Sequence, residues 1–375
     1  MSDIMSDILD ILRDETPERN ATAEELALYA PVSQQIQQLD NSNIFDANDS
    51  NDRLIVISFD GTRNSRDENP TYNPNVSEDE INTNPDILES LISETNTVKP
   101  IYIPGVGTDG VVDHNVGAAL GHEVVERAEF AYEQFETEVV KLFDQNPDAN
   151  VHLTTLAFSR GNASQVHFAN LVHNNGVPDP KNPGDFLIAP GEIQYDGFLA
   201  YDPVFTTTDG TLGFPLGDRL LTGVPSSVNQ VVEFRALHED RNLFGLDSFV
   251  DPAFPDDPGI HSFSFAGAHA DIGGGHSFGG LSYYTLDLGH QFLSRLNVPI
   301  EQIPNNFLPD PNNPEILIHN SGFGIPFLND SGSDNPLFLE LGARGIIFLL
   351  WLKRWMRIIR FLMYARLNGE GLLKY

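Results

Sequence analysis

Three residues far apart in the chain have types that together could perform nucleophilic catalysis. Ser159, Asp202 and His269 occur in the order Ser, Asp, His, 43 and 67 residues apart. A serine hydroxyl is a poor nucleophile until a neutral imidazole accepts its proton. The imidazole in turn needs a carboxylate to fix its tautomer and stabilise its protonated form. The chemistry predicted is acyl transfer through an acyl-enzyme. It requires no metal or cofactor.

Each residue closes a hydrophobic run, which is where the positioning elements lie. In Thr155-Leu156-Ala157-Phe158-Ser159-Arg160-Gly161 an apolar strand breaks at a serine and gives way to a helical pattern. A nucleophile elbow needs small residues two positions either side of the serine. Gly161 meets the demand, and Ala157 stands where glycine is usual. Gly197-Phe198-Leu199-Ala200-Tyr201 runs into Asp202-Pro203-Val204, and an alternating strand from His261 runs to His269, ahead of Asp271-Ile272-Gly273-Gly274-Gly275. Asp60 and Asp271 are alternative or supporting acids; His261, His276, His122 and His238 compete with His269. The tetrahedral oxyanion would be met by backbone N–H groups of Arg160 and of the loop holding Gly61 and Thr62. His122-Glu123 with Glu126 and Glu129 lacks the second histidine of a His-Glu-x-x-His metal helix and reads as a solvated face.

Around these residues, short apolar runs alternate with helical periodicity. Strands are expected at 53–59, 98–103, 151–158, 197–201, 231–237 and 261–269, and helices at 87–92, 117–143, 162–172 and 282–296. This alternation predicts an α/β fold, α/β-hydrolase-like, with a mainly parallel sheet flanked by helices and chemistry at the carboxyl ends of the strands. The triad order agrees with that class. Three regions are expected: an acidic N-terminal appendage over 1–52, a catalytic domain over 53–340 and a basic amphipathic helix over 341–375.

The 375 residues carry 54 Asp and Glu against 21 Lys and Arg, a net charge of −33, which excludes nucleic acid as a partner. There is no cysteine, so disulfides, thiolate nucleophiles and cysteine-ligated metals are excluded. Met1-Ser2-Asp3-Ile4-Met5-Ser6-Asp7-Ile8 lacks a basic segment followed by an apolar core, so synthesis in the cytoplasm without a secretory signal peptide is expected.

Several islands, in shared order, resemble the catalytic domain of the type VI secretion lipase effectors of the Tle phospholipase group. They are Phe59-Asp60-Gly61-Thr62-Arg63-Asn64, Pro104-Gly105-Val106-Gly107-Thr108, Phe158-Ser159-Arg160-Gly161, Asp202-Pro203-Val204, Ala236-Leu237-His238-Glu239-Asp240-Arg241, Phe265 through Gly275, and Gly280-Leu281-Ser282. The resemblance spans residues 53 to 295 and departs from the family at Ala157 and at Arg63, where an aromatic residue is common. It implies an α/β-hydrolase fold, a triad on Ser159, Asp202 and His269, and hydrolysis of lipid esters. It also implies delivery by a secretion apparatus to target-cell membranes and a neutralising immunity protein. A carboxylesterase on soluble esters, and a non-catalytic hydrolase fold kept as a binding scaffold, remain the alternatives.

Residues 344–375 carry a charge of +6 against −39 for everything before them. Lys353, Arg354, Arg357 and Arg360 share one helical face, and Trp351 and Trp355 lie on the opposite one. The apolar run 346–352 is too short to span a bilayer, so an interfacial membrane-binding helix is expected, the alternative being a helix packed on the acidic body.

Overall fold

Leu54-Ile55-Val56-Ile57 offers two faces that are both apolar, and the strand containing it, β1 (Asp52–Phe59), is buried on both. Such a strand belongs in the middle of a parallel sheet covered by helices. In the computed structural model, which describes residues 19–62, 64–66, 82–108, 123–205, 223–238, 248–250, 259–275, 280–310 and 316–319, that is its place. The other strands of the sheet are β2 (Val98–Ile103), β3 (Asn150–Phe158), β4 (Gln194–Tyr201), β5 (Val231–Ala236) and β6 (Ile260–Phe265). The six strands run in the order β2-β1-β3-β4-β5-β6, and every pairing is parallel.

The chain steps outward from β1 to β2, then crosses back to β3 on the other side of β1. The order of winding therefore reverses between β1 and β3, and that crevice is where ligands bind in open α/β sheets. Phe59 pairs with Ala157 and Phe158 with Tyr201, so Asp60, Ser159 and Asp202 leave adjacent strands at the same edge.

Side-chain alternation divides the core. Leu54, Val56, Leu156, Leu199 and Phe234 face α1 (Tyr29–Ile36), α2 (Asn84–Ser90) and α6 (Ser282–Arg295). Ile55, Ile57, Leu153, Ala157 and Phe198 face α3 (Val124–Gln145) and α4 (Gly161–Asn175). None of the described helices is long and apolar enough to cross a membrane.

The structure departs from expectation in two places that bear on the site. Residues 29–45 are part of the main fold and not an appendage. Tyr29, Val32 and Ile36 form an apolar stripe that enters the core with Leu39 and Phe45, and the Arg295 guanidinium donates to the Leu39 carbonyl at 2.6 and 3.0 Å. The sixth strand ends at Phe265 and not at His269. Gly267, at φ +134°, turns the chain, and His269 opens a short helix, α5 (His269–Gly273).

The chain divides into two units, Met1–Phe323 and Gly324–Tyr375. The second, and with it the expected helix bearing Trp351, Lys353, Arg354, Trp355, Arg357 and Arg360, lies outside the described residues.

Candidate active site

Ser159 holds φ at +56°, the left-handed region that a non-glycine residue occupies at a cost on the order of 1 kcal/mol or more. The surroundings impose it. The Ser159 N–H donates to the Tyr201 carbonyl at 3.1 Å, and the Ser159 carbonyl accepts from Val204 N at 3.2 Å. Asn162, fully buried in the first turn of α4, donates through Nδ2 to the carbonyls of Ser159 and Tyr201 at 3.0 and 3.1 Å. The serine turn is thus sewn to the turn that carries Asp202.

The two small residues of the elbow are not equivalent. A Cβ on Gly161 would lie 2.6 Å from the Phe59 carbonyl oxygen and 2.7 Å from that of Asp60, so glycine is required there. Ala157, by contrast, is fully buried in the α3–α4 face of the core, in the same apolar cluster as Phe59 and Val166. The absent glycine is a packing choice.

Asp202 also has a positive φ, +38°. One carboxylate oxygen, Oδ1, accepts from Ala236 N at 2.8 Å, and Oδ2 faces His269 Nδ1 at 2.5 Å. His269 is held from its other side by Phe158, whose ring lies 4.5 Å from the imidazole centroid to centroid. Phe158 is itself enclosed by glycines: a Cβ on Gly273 would lie 2.0 Å from its ring and one on Gly61 2.7 Å. Ser159, Asp202 and His269 are only 3, 6 and 7% exposed. The structure brings the histidine onto Asp202 and onto the residue preceding the serine.

The competing residues have other partners. Asp60 Oδ1 accepts from Gly61 N and Thr83 Oγ1, both at 2.7 Å, and Oδ2 accepts from Tyr102 Oη at 2.5 Å. Burial nevertheless dominates those three donors and pushes the Asp60 carboxyl up to about 6. Asp271 faces His319, not His269. His238 Nδ1 accepts from Gly267 N at 3.0 Å. His261 lies in β6, its basicity lowered by burial, while His122 and His276 lie outside the described residues.

In the oxyanion loop the Gly61 amide donates to the Asp60 carboxylate, which turns back onto the next residue, so it is already engaged in this structure. Arg160 caps the 15-residue helix α4, whose N-terminus carries partial positive charge, and its Nη1 reaches Thr62 Oγ1 at 3.4 Å. Arg160 and Thr62 remain the candidate pair. Gly105 supports this loop by close approach, since a Cβ there would lie 1.7 Å from the Gly61 carbonyl oxygen.

Sequence reasoning missed Asn162, Thr83, Tyr102 and His319. Each is a single polar residue with no period or motif of its own. Among the described residues no group of three or more His, Cys, Asp or Glu side chains is arranged to hold a metal ion.

No family model and no curated protein matches the sequence. Solved structures do. An uncharacterized protein from Pseudomonas aeruginosa is 17% identical with a TM-score of 0.45, the match covering 78% of this chain and 52% of that one. This chain thus spans about half of that protein's length. Thermogutta terrifontis esterase 2 is 13% identical over 69% of this chain and 89% of its own, with a TM-score of 0.34. A Pyrococcus furiosus esterase is 13% identical over 65% and 82%, with a TM-score of 0.32. The strand order and the elbow geometry, independent of these likenesses, are those of an α/β-hydrolase-like fold.

Proposed function

We propose that the protein is a serine hydrolase acting on carboxylic esters of lipids, with phospholipid as the substrate class. The observation that carries the reaction type is the left-handed Ser159 turn, sewn to the turn of Asp202 beside a histidine whose Nδ1 faces that carboxylate. In this reading Ser159 Oγ attacks the ester carbonyl while His269 Nε2 takes its proton, and Asp202 stabilises the imidazolium. The imidazolium then protonates the departing alcohol, and the acyl group stays on Ser159. Water, deprotonated by the same imidazole, releases the fatty acid. The amides of Arg160 and Thr62 face the developing oxyanion, and losing one such donor costs about a hundredfold or more in rate.

The lipid assignment is supported by the sequence resemblance to type VI secretion lipase effectors and by the basic, tryptophan-bearing segment near the C-terminus. That segment would bring an otherwise strongly acidic protein to a lipid surface. Export to a target cell, and an immunity protein as partner, follow from the resemblance alone.

Mass spectrometry of mixed phospholipid vesicles incubated with wild type and with Ser159→Ala tests the substrate. Free fatty acid and lysophospholipid are expected from wild type only. Hydrolysis of short soluble esters with intact vesicles would replace the lipid reading by a carboxylesterase, and no turnover of either by folded protein would leave a scaffold. Deleting residues 344–375 is expected to abolish vesicle binding while leaving soluble-ester turnover in place.

A further inference from the structure

We propose that Asp271 and His319 form a second carboxylate–histidine pair whose role is to position His269, an inference that rests on the triad reading above. Asp271 is buried, and its side-chain hydrogen bonds join the residue before His269 to His319. Its Oδ2 accepts from Ala268 N, the residue immediately before His269, at 2.9 Å, and from His319 N at 2.9 Å. Its Oδ1 faces His319 Nδ1. Asp271 thus caps the first turn of α5 from its third position, its own N–H donating to the Ala268 carbonyl at 3.0 Å, in a helix too short to hold itself.

The surrounding residues leave this carboxylate little freedom. Gly267 has a φ of +134°, and a Cβ there would lie 2.7 Å from the Cβ of Asp271, so the turn ahead of His269 is moulded on Asp271. His319 follows Leu317–Ile318, which pairs antiparallel with Arg19–Asn20, and Ile316 and Ile318 are buried in the core. His319 thus arrives on an anchored segment 48 residues along the chain from the carboxylate it meets. The imidazole ties Asp271 to that segment, Asp271 ties down Ala268, and His269 follows in register with Asp202 Oδ2.

His269 is a catalytic residue in this reading; Asp271 and His319 are positioning residues that touch no reacting atom. Displacing a reacting group by about 1 Å costs on the order of a hundredfold in turnover without weakening ground-state binding. Two amide replacements of His319 discriminate a positioning role from a merely structural one. In Asn the side-chain N–H₂ falls where Nδ1 lies, whereas in Gln it falls where Nε2 lies.

The test uses p-nitrophenyl butyrate with the full chain, measuring kcat, KM and the thermal unfolding midpoint for His319→Asn, His319→Gln, His319→Ala and Ser159→Ala. The expected result is a kcat about tenfold or more below wild type in the Ala and Gln variants, KM within about twofold, and recovery of most of kcat in His319→Asn. Equal kcat in the Asn and Gln variants, or a wild-type kcat in folded His319→Ala, would overturn the inference while leaving the triad standing. If His319→Ala does not fold, the Asn and Gln comparison decides by itself. A wild type no faster than Ser159→Ala would overturn the triad reading and this inference with it.

Discussion

The sheet carries a buried histidine–carboxylate pair at each end. At the amino ends of the strands His152 Nδ1 lies 2.9 Å from Asp196 Oδ1, and its Nε2 lies 3.2 Å from Asp52 Oδ2 and 3.0 Å from Asn150 Nδ2. Asp196 and Asp52 also accept from the backbone amides of Phe45 and Asp46, both at 2.9 Å. That arrangement fastens the incoming chain to the floor of the sheet, with both ring nitrogens engaged in doing so. At the carboxyl ends His269 meets Asp202 through Nδ1, beside a serine in a left-handed turn at the point where the strand order reverses. The residue types are the same. What distinguishes the two pairs is their place relative to the strand ends and to a serine in a left-handed turn.

Substitutions at the two pairs should give opposite phenotypes. Asp202→Asn is expected to lower kcat about ten-thousandfold, since the amide favours the wrong imidazole tautomer, with little change in the unfolding midpoint. His152→Ala is expected to do the reverse: it leaves two buried carboxylates facing an empty site and should lower stability by about 3 kcal/mol or more in denaturant unfolding. The surviving folded fraction should retain wild-type kcat. Loss of turnover in folded His152→Ala would break the division of labour between the two ends.

Asp60 offers a pH-resolved version of the same comparison. Its folded-state carboxyl titrates at about 6, above the ordinary range near 4, so the native state binds the proton more tightly than the unfolded chain. Its contribution to stability is therefore fully present below about pH 4 and is lost as pH rises to about 6, an effect on the order of 3 kcal/mol. Chemical denaturation of wild type and Asp60→Asn across pH 4 to 7 should show the stability difference, wild type minus variant, falling through that window and flat above it. A difference rising with pH would contradict the assignment. The smallest expected effect is at the elbow. Ala157→Gly should cost about 0.5–1 kcal/mol in stability and leave kcat unchanged, because the methyl fits the core it occupies. A gain in turnover would show that the elbow is strained by alanine.

The strands and the candidate residues at their ends were legible because both leave marks along the chain: apolar runs that end abruptly, a serine between small residues, and a Ser, Asp, His order. The supports were not. Asn162 sits inside a helix pattern where any polar residue would read alike, and its value comes from two carbonyls, one in the serine turn and one at the end of β4. His319 and Asp271 meet across 48 residues with no spacing rule to link them. The same holds for Thr83 and Tyr102 on Asp60. The apolar stripe of α1 was hidden because Tyr29, Val32 and Ile36 are few among the polar and acidic residues of the N-terminal region. The alternation from His261 predicts a strand ending at His269, although the glycine at 267 and the capping carboxylate at 271 make it a helix start.

The central claim is that Ser159 is a nucleophile activated by His269 and Asp202. Its most direct test is labelling of the folded protein with a fluorophosphonate, followed by mass spectrometry of the peptides. A single adduct on Ser159, formed much more slowly in Asp202→Asn and absent in Ser159→Ala, is the predicted result. Folded wild type that forms no adduct, or an adduct that persists in Ser159→Ala, would contradict it.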